Sequence, residues 1–387
     1  MTQDVQSQSH TSLTKPTLLA SLPPSALPKP HGGPESPRLI IIGDVHGQLS
    51  ALDALLAKVG YSRARGDVVI FTGDMVNKGP DSGGVVDRAV EMGAYSVRGN
   101  HEDRVLRAWD EMQAKGSMDT DTDSETETDV EEEREGDAET EGKRKKKHKH
   151  KHHKGKKEAR KTARSLTSAQ RSWLAARPVI LRVGAVSPYY GDVAVVHGGL
   201  VPGIPLEKQD PQVVMNIRTL ITPSSSSSTS FSPESLVSDN DSLDSSAGSF
   251  SHSHLKPSEG REGHPWSKVW NALEKEKQKK NKDNNNKKGG RHGTPEPPTT
   301  VVYGHDAKTG LSVRRYAFGI DSNCARGGEL TALVFEPTSA ASAAISNSPG
   351  INTNHDDDQR VDEEDLELAA ARHGIRHRLV SVSCRAR

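Results

Sequence analysis

Short apolar runs, each closed by a polar glycine-containing turn, alternate with helical spacings through the first third of the chain. Leu39 to Ile42 is an unbroken aliphatic run, the pattern of a strand covered on both faces. Gly43 to Gly47 turns the chain. Leu49, Leu52, Leu55, Leu56 and Val59 then recur at helical spacing, and Gly60 ends that helix. Val68 to Phe71 is a second buried strand, followed by Thr72-Gly73-Asp74. Val85, Val86, Ala89 and Val90 mark a second helix that ends near Gly93, and Tyr95 to Val97 a third strand before Gly99-Asn100-His101. This rhythm predicts parallel βαβ units with right-handed crossovers. In such sheets the site lies beyond the carboxyl ends of the strands. The second half is less regular. Leu166 to Arg177 reads as a short helix closed by Pro178, and Val179 to Val183, Val193 to Val196, Val301 to Tyr303, Leu330 to Phe335 and Arg378 to Val382 read as strands. The fold class is α/β.

Between these segments lie stretches with too little apolar content to offset the entropy of ordering. Asp119 to Glu141 is acidic, Lys143 to Lys161 is basic and rich in histidine, Ser224 to Glu262 is serine-rich, and Lys275 to Pro298 is rich in Lys, Asn, Gly and Pro. The expected organisation is a disordered tail at 1–37, a domain at 38–336 interrupted by disordered inserts at 117–164 and 222–299, and a low-complexity tail at 337–387 with a final strand at 378–383.

A length of 387 residues would allow two domains, but 32% hydrophobic and 4% aromatic content argue for one core. The zero formal net charge gives no global field for nucleic acid or membrane. Locally, the basic tract at 143–161 resembles a nuclear localisation or polyanion-binding segment, and its His-Lys alternation suits loose transition-metal binding. Cys324 and Cys384 are the two cysteines, far apart in sequence; no disulfide framework is expected, and a reducing compartment fits. No apolar run approaches the roughly 20 residues needed to span a bilayer, and residues 1–37 hold no signal-peptide core.

The chemistry concentrates at the predicted strand ends. Gly43-Asp44-Val45-His46-Gly47, Gly73-Asp74-Met75-Val76-Asn77-Lys78-Gly79 and Arg98-Gly99-Asn100-His101-Glu102 each follow a buried run, and His197 and His305 sit in the same context downstream. Carboxylate, amide and imidazole donors grouped this way suit divalent metals. Two such metals side by side activate water and clamp a phosphoryl group. Arg98 either contacts phosphate or braces its turn, and Glu102 holds the loop or caps the following helix.

This constellation resembles the calcineurin-like metallophosphoesterases, in the group that includes the Ser/Thr protein phosphatases and the bacterial symmetrical diadenosine tetraphosphatases. The run Gly319 to Val334, with Asp321, Cys324, Gly327-Gly328 and Leu330-Thr331-Ala332-Leu333, is similar to diadenosine tetraphosphatases and to fungal zinc-dependent endopolyphosphatases, and Trp266, Trp270-Asn271 and Lys78 to Ser82 resemble the fungal endopolyphosphatases. The resemblance implies a two-sheet β-sandwich flanked by helices. It implies one metal on Asp44, His46 and Asp74, and a second on Asp74, Asn100, His197 and His305, the ions being Mn, Zn, Fe, Co or Mg. His101 and Asn77 become the catalytic candidates, and Lys78 and Arg98 the phosphate contacts. Cys324 is expected to be a buried packing residue.

One departure from the resemblance bears on substrate. Protein phosphatases carry Gly-Asp-x-x-Asp-Arg-Gly where this chain has Asn77 and Lys78. An amide adds no charge to favour an imidazolium at His101, and lysine offers a point charge in place of a bidentate fork. A phosphate leaving from an anhydride needs protonation less than a serine alkoxide does. The expected function is therefore a two-metal phosphohydrolase acting on a phosphoanhydride, inorganic polyphosphate or a dinucleoside polyphosphate. A Ser/Thr phosphoprotein phosphatase and a non-catalytic scaffold that binds through its charged and serine-rich loops are the alternatives. With no membrane anchor visible, a cytoplasmic or nuclear address fits better than a vacuolar one. Oligomeric state is open.

Overall fold

A computed structural model describes residues 13, 15–33, 35–115, 155–221, 255–287, 296–338 and 372–385. Strand β2 (Leu39–Ile42) lies at the centre of the first sheet, parallel to β3 (Val68–Phe71), which is parallel to β4 (Tyr95–Ser96). On its other side β13 (Glu329–Pro337) runs antiparallel, and β14 (Ile375–Ser383) pairs antiparallel with β13. The second sheet has the order β1 (Leu19–Ser21), β5 (Ile180–Ser187), β6 (Gly191–Val196), β10 (Thr299–Tyr303), β12 (Ala317–Gly319), β11 (Ser312–Arg314). A small antiparallel sheet joins β8 (Lys256–Ser258), β7 (Thr219–Ile221) and β9 (His264–Pro265).

The alternation of side chains along a strand decides what each face covers. Leu39 and Ile41 of β2 point into the space between the two sheets, where they join Ile70, Leu333 and Phe335 against Leu181, Val195, Val302 and Phe318. Ile40 and Ile42 point outward under a helical layer formed by α1 (Leu49–Val59), α2 (Ser82–Met92), α3 (Asn100–Ala114), α4 (155–165) and α5 (Ser168–Ala175). The outer face of the second sheet is covered by α6 (Pro211–Asn216) and α7 (Trp266–Lys287), through Val214, Met215, Trp266, Val269 and Trp270. The helices start and stop for local reasons. Asp81 caps α2 by accepting the Gly84 amide at 2.7 Å, and Gly60 and Gly93 close α1 and α2 in the left-handed conformation.

The sandwich and the βαβ half match the sequence expectation. The insert and tail boundaries need correction. Within the tail written as 1–37, β1 pairs in parallel with β5, and Leu22 is buried between the sheets. Within 117–164, α4 is ordered because Ala159 and Ala163 pack into the helical layer. Within 222–299, β8, β9 and α7 are ordered because two tryptophans anchor them to the second sheet. The final strand begins at Ile375 and not at 378. The acidic block, the serine-rich stretch before Leu255 and the basic tract before Gly155 lie outside the described residues. No helix among the described residues is long and apolar enough to cross a membrane.

The cysteines also need correction. Cys324 and Cys384 form a disulfide, with Cα atoms 5.3 Å apart across a sequence separation of 60. Sequence distance misleads here because β14 returns along β13 and brings its end to the turn after β12. The expectation of unpaired cysteines, and with it the argument for a reducing compartment, is withdrawn. Cys324 is buried, as expected.

One buried histidine links the fold to pH. His377 of β14 is fully buried against Phe318 and Tyr190, and its Nδ1 lies 2.7 Å from the Tyr190 hydroxyl. Burial, helped by the nearby Arg315 charge, lowers its pKa from 6.5 to about 4. Between those two values the unfolded chain takes up a proton that the folded chain refuses. Stability should therefore fall as pH drops from 6.5 towards 4, by up to about 3 kcal/mol. Urea unfolding across that window checks this: His377→Phe is expected to flatten the pH dependence, and an unchanged slope would remove His377 as its source.

Candidate metal centre

The centre sits where β2, β3, β4, β6 and β10 end. Asp44 and His46 follow β2, Asp74 follows β3, Asn100 opens α3 just past β4, His197 follows β6, and His305 follows β10. Contacts of 4.0 Å or less bring Asp44, His46, Asp74, His197 and His305 together, while Asn100 is tied to them through Asn216, whose carbonyl meets His305. Asp74 is central. Its Oδ1 lies 3.3 Å from His197 Nε2, and its Oδ2 lies 3.5 Å from His46 Nε2 and 3.9 Å from His101 Nε2. Asp44, Asp74 and His197 form one buried group able to hold a metal ion, and His46, Asp74 and His101 form another.

Each ligand-type histidine is oriented by a backbone carbonyl behind it. His197 Nδ1 lies 2.8 Å from Thr72 O, His46 Nδ1 lies 3.2 Å from Val76 O, and His305 Nε2 lies 3.1 Å from Asn216 O. Donating one ring N–H in this way turns the lone pair of the other nitrogen towards the centre. The Asn100 amide is held likewise. Its Nδ2 donates to Asn216 Oδ1 at 3.2 Å, while its Oδ1 is buried with no hydrogen-bond partner. A buried amide oxygen left unpaired is costly in a neutral site and well suited to a cation.

The loops pay for this arrangement in backbone strain. His46, Asp74, Asn77, Lys78 and His305 all take positive φ, between 49° and 72°. Glu102 supplies the compensation. Its buried carboxylate accepts the backbone N–H groups of Asp74 and Met75 at 2.7 Å, Gly99 at 2.8 Å and Val76 at 3.2 Å. Both roles considered for Glu102 from sequence are thus filled at once, since it is also the third residue of α3 and closes its first turn. Side chains at Gly99 or Gly304 would overlap the Asp74 and Asp44 carboxylates, so close approach requires glycine there.

Electrostatics follow from burial and from Asp74. Burial alone would lower His197, but the Asp74 and Asp44 carboxylates outweigh it and raise its pKa to about 10. His46 is lowered to about 4 by burial, only partly offset by Asp74, with Lys78 adding to the drop. Burial likewise pushes His101 and His305 well below the usual range. Burial raises Asp44, and the neighbouring Asp321 carboxylate raises it further. Asp74 is held low despite burial, by His197, His101 and His46. Metal ligation needs ionised carboxylates and neutral imidazoles, so ions and protons compete for this centre.

The substrate-facing residues differ from expectation at Arg98. Lys78 does reach the centre, with Nζ 2.9 Å from His46 Nε2. Arg98 does not. Its guanidinium is wholly buried and bonded to Asp103 at 3.3 Å, Leu13 O at 3.1 Å and Ala175 O at 2.7 Å, so it braces the turn and offers nothing to phosphate. Asn77 contacts His101 through its amide nitrogen, 2.9 Å from Nδ1. Its amide oxygen accepts from Thr162 Oγ1 at 2.9 Å. Sequence reasoning missed Thr162, which lies in a segment read as insert, and Asn216, which no motif marked.

The sequence profile of the calcineurin-like phosphoesterases matches residues 37–308. A symmetrical bis(5'-nucleosyl)-tetraphosphatase from Acidovorax sp. is 42% identical over 73 residues, covering 18% of this chain and 25% of that protein. Serine/threonine-protein phosphatase 1 of Salmonella typhimurium is 35% identical over 68 residues, covering 18% of this chain and 31% of that protein. The matches thus span about a quarter to a third of these relatives' length. A crystal structure carrying a provisional assignment as a diadenosine tetraphosphatase superposes with a TM-score of 0.50 and 25% identity, over 82% of this chain and 93% of that one.

Proposed function

The chain belongs to the calcineurin-like phosphoesterase family, and from that premise we propose that it is a two-metal phosphohydrolase that cleaves phosphoanhydride bonds, with inorganic polyphosphate or a dinucleoside polyphosphate as substrate. The observation that carries this reading is the position of Asp74, whose Oδ1 meets His197 and whose Oδ2 meets His46, with Asp44 against His46, His305 against His197 and an unpaired Asn100 Oδ1 opening the next helix. Two divalent ions, one on Asp44, His46 and Asp74 and one on Asp74, Asn100, His197 and His305, would lower the pKa of water and polarise the phosphoryl group. Mn, Zn, Fe, Co and Mg all suit the donor set.

The remaining groups favour an anhydride. Lys78 presents a single ammonium to a phosphate oxygen beside His46. His101 is held neutral by burial and offers a hydrogen bond from Nε2 in place of a transferable proton. That suffices for a departing phosphate, whose second pKa is about 6. It serves a serine alkoxide poorly. Relatives named as tetraphosphatases support this preference, and the protein phosphatase relative supports the phosphoprotein alternative.

The test is phosphate release by purified protein with added manganese or zinc. Long-chain polyphosphate and diadenosine tetraphosphate are expected to exceed a phosphoserine peptide in kcat/KM by at least about 10-fold. Preference for the peptide would return the chain to the protein phosphatases. Absence of turnover on all three, despite bound metal, would make it a binding module.

A further inference from the structure

The amide of Asn77 stands between two groups that can each donate or accept. An amide is nearly symmetric in shape, so its partners decide which end carries oxygen. Asn77 is completely buried, and its backbone N–H is fixed by Ser82 Oγ at 2.9 Å. Thr162 Oγ1 donates to Asn77 Oδ1 at 2.9 Å, and Asn77 Nδ2 then faces His101 Nδ1 at 2.9 Å. A ring nitrogen that receives an N–H carries no proton of its own. The single proton of the neutral His101 ring is left on Nε2, the nitrogen 3.9 Å from Asp74 Oδ2 and directed at the centre.

We propose that Thr162 is a positioning residue: by donating to Asn77 Oδ1 it sets the orientation of that amide, and so places the His101 proton on the nitrogen that faces the leaving group. Helix α4 is braced for this task. Ala159 and Ala163, which flank Thr162 by three positions and one, are buried in the helical layer, and Thr162 itself is nearly buried. Without the hydroxyl, nothing holds Oδ1 towards α4, and the amide is free to turn that oxygen to His101, which would draw the ring proton to Nδ1. Nε2 would then present a lone pair to a departing oxygen and repel it. The relay therefore matters most for leaving groups that need a hydrogen bond, and little for those that leave unaided.

The kinetic arm of the test rests on the phosphohydrolase reading; the spectroscopic arm does not. Thr162→Val and Thr162→Ser are compared with the parent chain on aryl phosphates running from p-nitrophenyl to phenyl, in manganese. Thr162→Val is expected to lower kcat about 10-fold on phenyl phosphate and about 2-fold on p-nitrophenyl phosphate with KM held, and Thr162→Ser to restore both. Ring-nitrogen NMR of the full-length chain, with the His101 signal identified by its loss in His101→Gln, is expected to show an unprotonated Nδ1 in the parent and in Thr162→Ser, and a protonated Nδ1 in Thr162→Val. An equal loss across the series, a loss that serine does not restore, or a protonated Nδ1 in the parent would overturn the proposal. Should the parent turn over none of the series, the phosphohydrolase reading falls, and the ring-nitrogen spectrum alone decides the relay.

Discussion

Replacing Asp74 with asparagine is expected to lower phosphate release by about 1,000-fold or more while leaving the fold in place. The substitution keeps the shape of the side chain but removes its charge, and it replaces one of the two inward oxygens with an N–H₂ donor. Asp74 Oδ1 faces His197 and Oδ2 faces His46, so either orientation of the amide sets a donor where an acceptor is needed. The neighbours feel the loss as well. The raised pKa of His197 depends first among its charged partners on Asp74. The loop itself should hold, because Glu102 binds the backbone of residues 74–76 independently of the Asp74 side chain. Elemental analysis should find less than the parent's metal per chain, with an unaltered circular dichroism spectrum. Turnover within 10-fold of the parent would mean that Asp74 is not shared between two ions.

The candidate centre was legible from sequence because its residues sit at strand ends. A buried parallel strand announces itself as an aliphatic run, and the turn after it has few ways to point. That made Asp44, His46, Asp74, Asn100, His197 and His305 recoverable although the last lies 261 positions from the first. Arg98 lay in an equally clear motif, yet sequence left its direction open; burial under α5 decided it. The contacts that orient the centre were not legible. Thr162 acts through one hydrogen bond and Asn216 through two, from helices whose positions depend on long-range packing, and no periodicity encodes such bonds. Segments rich in Lys, Asn and Ser misled for a related reason. Two tryptophans suffice to anchor the start of α7, and average composition conceals them. The disulfide was hidden because pairing of β13 with β14 sets its geometry, while sequence shows only the separation.

Replacing Asn77 with aspartate should reverse the substrate preference. A carboxylate in that place lies within hydrogen-bond reach of His101 Nδ1 and favours its N–H, and its charge opposes the burial that keeps the ring neutral. His101 then becomes an imidazolium able to give up a proton to a poor leaving group. The ratio of kcat/KM for a phosphoserine peptide to that for diadenosine tetraphosphate is expected to rise by about 10- to 100-fold. The alkaline limb of the peptide's pH profile should move upward, since the acid now keeps its proton to higher pH. The same change should silence Thr162. A carboxylate presents an oxygen to His101 whichever way it turns, so no donor is needed to orient it. In the Asn77→Asp background, Thr162→Val should therefore no longer steepen the dependence on leaving group, and the two substitutions should be non-additive. An unchanged substrate ratio would leave position 77 without influence on specificity. Additive effects would show that Thr162 reaches the reaction by a route other than the amide.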